Sequence, residues 1–102
     1  MKYEIYKILI ISTAHITDTD GAQLQFDANS NLCTELIVSK YDEFGHMIYV
    51  PKTKDPNREK YIAEKYSPSF MKLLEITRKQ KCQYLRADRD GPVYDHLPTY
   101  EW

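Results

Sequence analysis

The pattern of apolar positions changes period several times along the chain, and each change marks an element. Residues 3–11 place β-branched and aromatic side chains (Tyr3, Ile5, Tyr6, Ile8, Leu9, Ile10, Ile11) on both alternating sets. That pattern predicts a strand covered on both faces, and so the central strand of a sheet. Asp18-Thr19-Asp20-Gly21 then supplies capping residues and early negative charge for a helix over residues 18–29, whose apolar positions Ala22, Leu24, Phe26 and Ala28 only partly follow a helical stripe. Residues 34–41 and 45–50 are two β-branched runs separated by a short polar turn, which predicts a hairpin closed by Pro51.

Lys52 to Arg58 reads as a charged, exposed loop. Asp55-Pro56 starts a helix reaching Tyr66, because Asp caps well and Pro fits the first helical position. Ser67-Pro68 repeats that signal, followed by Phe70, Leu73, Leu74 and Thr77 at helical spacing, with Arg78, Lys79 and Lys81 at the end. Residues 82–87 read as a last short strand, residues 88–92 as a turn, and the rest as an irregular tail. The order is β-α-β-β-α-β, an α+β domain of the split βαβ, ferredoxin-like kind, with one sheet layer and the helices mainly on one face. The second face is then left for the aromatic tail (Tyr94, Leu97, Tyr100, Trp102) or a second copy to cover.

Composition narrows the functional classes. A chain of 102 residues, 42% hydrophobic and 28% charged, is sized for one domain over residues 1–102 and too apolar for intrinsic disorder. With 14 basic against 15 acidic residues the net charge is −1, so no global field draws in a polyanion or an anionic membrane. The most apolar stretch, Ile8-Leu9-Ile10-Ile11, is too short to span a membrane and precedes no cleavage site, which predicts a cytoplasmic protein. Cys33 and Cys82 stand far apart with no CxxC pair and read as free thiols in a core.

Four patterns bear on chemistry. Asp18-x-Asp20-Gly21 and Asp88-x-Asp90-Gly91 each alternate carboxylates before a glycine, but neither completes a calcium loop, and helix capping and turn building explain both. His15, with Ser12 and Thr13, follows the first strand, where sheets gather ligand-binding groups; its plainer role is a backbone hydrogen bond at the turn. With His46, His96 and the aspartates it would need convergence in space to form a metal or acid-base cluster. Arg78, Lys79 and Lys81 are the densest basic group and the candidate nucleic-acid contact, although a helix end favours cations in any case. The glycines form no phosphate loop, and no cofactor is implied.

Ser12-Thr13-Ala14-His15-Ile16, Tyr49-Val50-Pro51, Asp88-Arg89-Asp90-Gly91 and the terminal Leu97-Pro98-Thr99-Tyr100-Glu101-Trp102 together resemble a family of small uncharacterised bacterial proteins, a domain of unknown function. The resemblance spans nearly the full length in these four islands. It implies residence on plasmids, phages and other mobile elements and an accessory role, and it brings no activity or catalytic residue. The chain departs from the pattern at Lys81, where a glycine is expected after the helix, and in the longer charged loop from Lys52 to Lys65.

These observations and the resemblance favour a non-enzymatic module that binds another macromolecule, a protein partner above all, as an accessory protein of a mobile element whose partner classes are host-defence and transfer components. Ser12, Thr13, His15, Asp88, Asp90, Tyr100 and Trp102 are its candidate binding residues, in a monomer or homodimer. Two alternatives come from other classes: a small metal-dependent hydrolase or nuclease using His15 with Asp88 and Asp90, and a nucleic-acid-binding protein.

Overall fold

The computed structural model describes residues 2–30, 36–41, 43, 45–52 and 55–101. Four strands, β1 (Ile8–Ser12), β2 (Ile37–Tyr41), β3 (Gly45–Tyr49) and β4 (Tyr84–Asp88), form one mixed sheet in the order β1-β4-β3-β2. Three helices, α1 (Asp18–Asn29), α2 (Pro56–Lys65) and α3 (Pro68–Lys79), complete an α+β domain in the expected order, with α2 and α3 together standing between β3 and β4. β1 runs parallel to β4, with Ile8 opposite Tyr84 and Ser12 opposite Asp88, while β3 is antiparallel to both β4 and β2.

The local signals for the helices work as read. Asp55 caps α2 by accepting from the Asn57 and Arg58 amides at 2.9 and 3.3 Å, and Ser67 caps α3 through the Phe70 amide at 3.2 Å. Each cap is followed by a proline whose missing N–H costs nothing there. α1 has the predicted bounds, but Thr17 rather than Asp18 is its cap, accepting from the Asp20 amide.

At the end of α3, Lys81 takes the left-handed conformation (φ 59°) in the position where a glycine is expected. Its amide donates to the Arg78 carbonyl and the Cys82 amide to the Thr77 carbonyl, at 2.9 and 3.0 Å. This is the six-to-one, five-to-two pair of a Schellman cap. The helix therefore ends where a glycine would end it, with a lysine bearing the conformational strain.

Two expectations about the sheet are corrected. The first strand is not central: β1 lies at one edge, and β4 takes the inner place between β1 and β3. It is also shorter than residues 3–11, since residues 2–7 carry no strand structure and Ile5 is 78% exposed. β1 meets the helices on one side, leaves Ile8 exposed on the other, and has the returning tail along its outer edge. The Ser12 amide donates to the Pro92 carbonyl at 2.8 Å, and the Tyr94 hydroxyl to the Ile10 carbonyl at 3.0 Å. The tail thus takes up polar groups that an edge strand would otherwise expose to pairing. The expected start of the second strand at Thr34, and Cys33 and Trp102, lie outside the described residues. Cys82 is a half-buried free thiol rather than a fully buried one.

Register and alternation sort the sheet residues onto two faces. Leu9 and Ile11, Leu85 and Ala87, Ile48 and His46, and Val38 and Lys40 face the helices. The core forms there, from Ile11, Ile48, Leu85 and Ala87 against Leu24 of α1, Ile62 of α2 and Phe70, Leu73 and Leu74 of α3, with Leu97 of the tail joining it.

Glycine is required at two points of closest approach. A Cβ on Gly45 would sit 1.7 Å from the Ala87 carbonyl oxygen, and one on Gly91 would sit 2.5 Å from that of Ile11.

Candidate functional site

The residues singled out in the sequence scatter to different tasks. His15 is 1% exposed, and both ring nitrogens hold the tail: Nδ1 donates to the Pro98 carbonyl at 2.8 Å, and Nε2 accepts from the Tyr94 amide at 2.9 Å. Those partners fix the tautomer and leave no nitrogen for substrate or metal. Ser12 caps the short 3-10 turn Thr13–His15 by accepting from the Ala14 amide. Asp88 accepts from the Asp90 amide at 2.9 Å and lies 3.5 Å from the Arg86 guanidinium. The tail continues with the Tyr100 amide on the Ala14 carbonyl and its hydroxyl on Ser69, both within 2.9 Å. His15, Asp88 and Asp90 are therefore not assembled as a hydrolytic set. Among the described residues no group of three or more His, Cys, Asp and Glu side chains is placed to hold a metal ion.

The first Asp-x-Asp-Gly does different work from the second. Asp20 is buried and receives both the amide (2.9 Å) and the hydroxyl of Ser67, tying α1 to the start of α3. Asp27, about two turns further along the same face of α1, receives the Tyr66 hydroxyl at 2.5 Å and the Gln23 amide at 3.1 Å. Burial, and then the bond to Asp27, push the Tyr66 phenol well above its ordinary value. Arg78, expected in a basic patch, is largely buried. It pairs with Glu59 at 2.5 Å and donates to the Pro51 carbonyl at 3.1 Å, joining α3 to α2 and to the hairpin end. The nucleic-acid trio Arg78, Lys79 and Lys81 thus loses its arginine to an internal ion pair.

A groove of about 700 Å³ opens between α1 and the β2–β3 hairpin, at the carboxyl ends of the parallel strands β1 and β4. Thr13, one of the sequence-predicted binding residues, lines it. The walls explain the space. α1 turns Asp20 and Asp27 toward Ser67 and Tyr66, which leaves Gly21, Ala22, Leu24, Gln25 and Asn29 along the groove. On the opposing wall stand Gly45, Ala87, His46 and Lys40. Lys40 and His46 are direct cross-strand partners on the helix-facing side. Burial, and next the Lys40 charge, hold the His46 imidazole below its ordinary value.

Among the described residues no helix lies on the opposite face of the sheet. Ile8, Tyr84, Tyr49 and Ile37 are consecutive partners in register and make one apolar row across all four strands. Ile8 is 41%, Tyr49 37% and Ile37 61% exposed. Tyr84 packs edge-on against Tyr49 at 5.6 Å and against Tyr6 at 5.9 Å. The next row, Ile10, Arg86, Met47 and Ser39, holds one cation, which pairs with Asp88 and lies over the Tyr41 ring at 4.6 Å.

A family model, that of the C-terminal domain of the DUF5983 family of unknown function, matches residues 8–102. The chain belongs to this family. No curated protein and no solved structure matches it. The matched range spans the residues of all four islands of resemblance, and three of them have a structural meaning in this DUF5983 domain. Ala14-His15 and Leu97-Pro98-Thr99-Tyr100 are the two sides of the tail clamp, while the Asp88–Gly91 turn brings the chain back beside β1.

Sequence reasoning missed the open-face row and the groove, because both depend on register and on which strand lies inside. The one available signal was polar: Lys40 and His46 interrupt the apolar alternation of their strands at positions that face the helices.

Proposed function

We propose that this DUF5983 domain is a non-enzymatic module that binds another protein through the open face of its sheet. One observation carries the reading: the uncovered, register-matched row of Ile8, Tyr84, Tyr49 and Ile37, flanked by Tyr6. Contiguous exposed apolar surface on a small domain marks interaction sites, and tyrosine is favoured there because it gives a large contact area while its hydroxyl stays wet. The face suits a protein better than a nucleic acid. A polyanion needs several cations to neutralise phosphates, whereas Arg86 is already paired with Asp88 and the chain carries a net −1. In this reading the domain acts in the cytoplasm as an accessory protein of a mobile element, with a host-defence component among its partner classes. The described helices include none long and apolar enough to cross a membrane.

The test uses a photo-crosslinking side chain at Ser39, which is exposed on the same face. A discrete protein adduct is expected in cytosol of the native host, lost in Tyr49→Ser/Tyr84→Ser with the circular dichroism spectrum unchanged. An adduct pattern indifferent to the two tyrosines, or capture of single-stranded oligonucleotide at physiological salt, overturns the reading.

A further inference from the structure

The groove between α1 and the hairpin breaks the rule by which the rest of the domain is built. The helix-facing side of a sheet is where apolar side chains belong, and that rule holds at Leu9, Leu85, Ile48 and Val38. One row nearer the hairpin turn it fails. Ile11 and Ala87 are followed by His46 and Lys40, directly opposite each other on neighbouring strands. Like-signed partners at directly opposed positions oppose sheet pairing, so this pair works against the fold whenever the imidazole is charged. On the facing helix Leu24 and Ala28 are the apolar side chains beyond Ala22 that line the space. Gly21 and Ala22 supply almost no side chain, and Gln25 and Asn29, one and two turns on, offer amide groups instead of apolar ones. Local rules broken together in a ligand-sized cavity point to function.

We infer that this groove is a binding site for a small organic anion carrying a carboxylate or phosphate group. Lys40 and His46 would hold the charged end from the sheet wall. Gln25 and Asn29 would donate amide hydrogen bonds from α1, with Thr13 lining the same groove. An anion between Lys40 and His46 turns an unfavourable neighbour pair into a charge-assisted one. The volume of about 700 Å³ lies within the range of small-molecule sites and leaves room for an apolar body beside Ile16 and Leu24. The charged lining also includes Asp18, which accepts from the Thr19 amide at the start of α1, Glu43 in the hairpin turn, and Arg89 after β4. The inference is independent of what covers the open face, which lies on the other side of the sheet.

The experiment is an NMR titration of the intact protein with inorganic phosphate and, in a second arm, with citrate, each against sodium chloride at matched ionic strength. The His46 ring signals are expected to move saturably, with half-saturation in the low-millimolar range of about 1 to 10 mM for such fragments. The pH midpoint of the ring should rise on binding. Lys40→Gln, a surface change that leaves the fold intact by circular dichroism, should weaken the titration about tenfold. The stronger arm tells phosphate from carboxylate. Ring signals that follow sodium chloride in both arms, or a titration untouched by Lys40→Gln, overturn the inference.

Discussion

Replacing His15 by alanine removes a ring that is 1% exposed and two hydrogen bonds that hold the tail, to the Pro98 carbonyl and from the Tyr94 amide. Emptying a buried site of this size costs about 2 kcal/mol through lost contacts and the residual cavity. Each hydrogen bond adds roughly 1 kcal/mol, less where the tail swings out and water takes over its backbone groups. The expected loss is therefore about 3 kcal/mol, a large share of the 5–15 kcal/mol typical of a domain. With a urea slope of about 1.5 kcal/mol/M, the unfolding midpoint should fall by about 2 M. Native-state hydrogen exchange gives the local readout. The Tyr94 and Leu97 amides, the second of which donates to the Tyr94 carbonyl, should lose protection together. His15→Asn supplies the control, since its amide N–H stands near the place of Nδ1, keeps the Pro98 bond and should recover about 1 kcal/mol. A loss under about 1 kcal/mol in His15→Ala, or unchanged exchange at Tyr94, would refute the clamp and return His15 to the list of groups free for chemistry.

Two further outcomes follow from particular positions. Lys81→Gly should stabilise the domain by about 1 kcal/mol in chemical denaturation, because glycine adopts the left-handed conformation at the end of α3 without the Cβ penalty; a destabilised variant would show that the lysine side chain compensates by contacts of its own. For His46 the sign runs toward acid sensitivity. Its folded-state value lies below the ordinary 6.5, so as pH falls through 6.5 the unfolded chain takes up the proton first, and stability declines until the folded-state value is passed. His46→Gln should flatten the urea midpoint over that window, and an equal slope in wild type and variant would contradict the assigned cause.

The sequence by itself determined the elements whose causes are local. Asp55-Pro56 and Ser67-Pro68 started α2 and α3 because a capping oxygen and a preset proline φ act within one turn, and α1 ran between its expected bounds. Only the second aspartate-glycine copy was legible, as a turn in which Asp88 accepts from the Asp90 amide; in the first, Thr17 is the cap and Asp20 reaches Ser67 at the start of another helix. What lay beyond the sequence was every question of neighbour. The run around Ile8 looked central since apolar alternation does not tell a covered face from an open one; Ile8 is 41% exposed on the open face, and the C-terminal tail, held by His15 across more than eighty residues of chain, takes up only the edge of the strand. Arg78 read as a free cation because nothing local announces that Glu59, on another helix, reaches it at 2.5 Å. The row Ile8–Tyr84–Tyr49–Ile37 and the Lys40–His46 pair exist only once strand order and register are set. Alternation along one strand says which residues share a face, and only the packing of all the elements decides whether that face meets helices, a ligand or another protein.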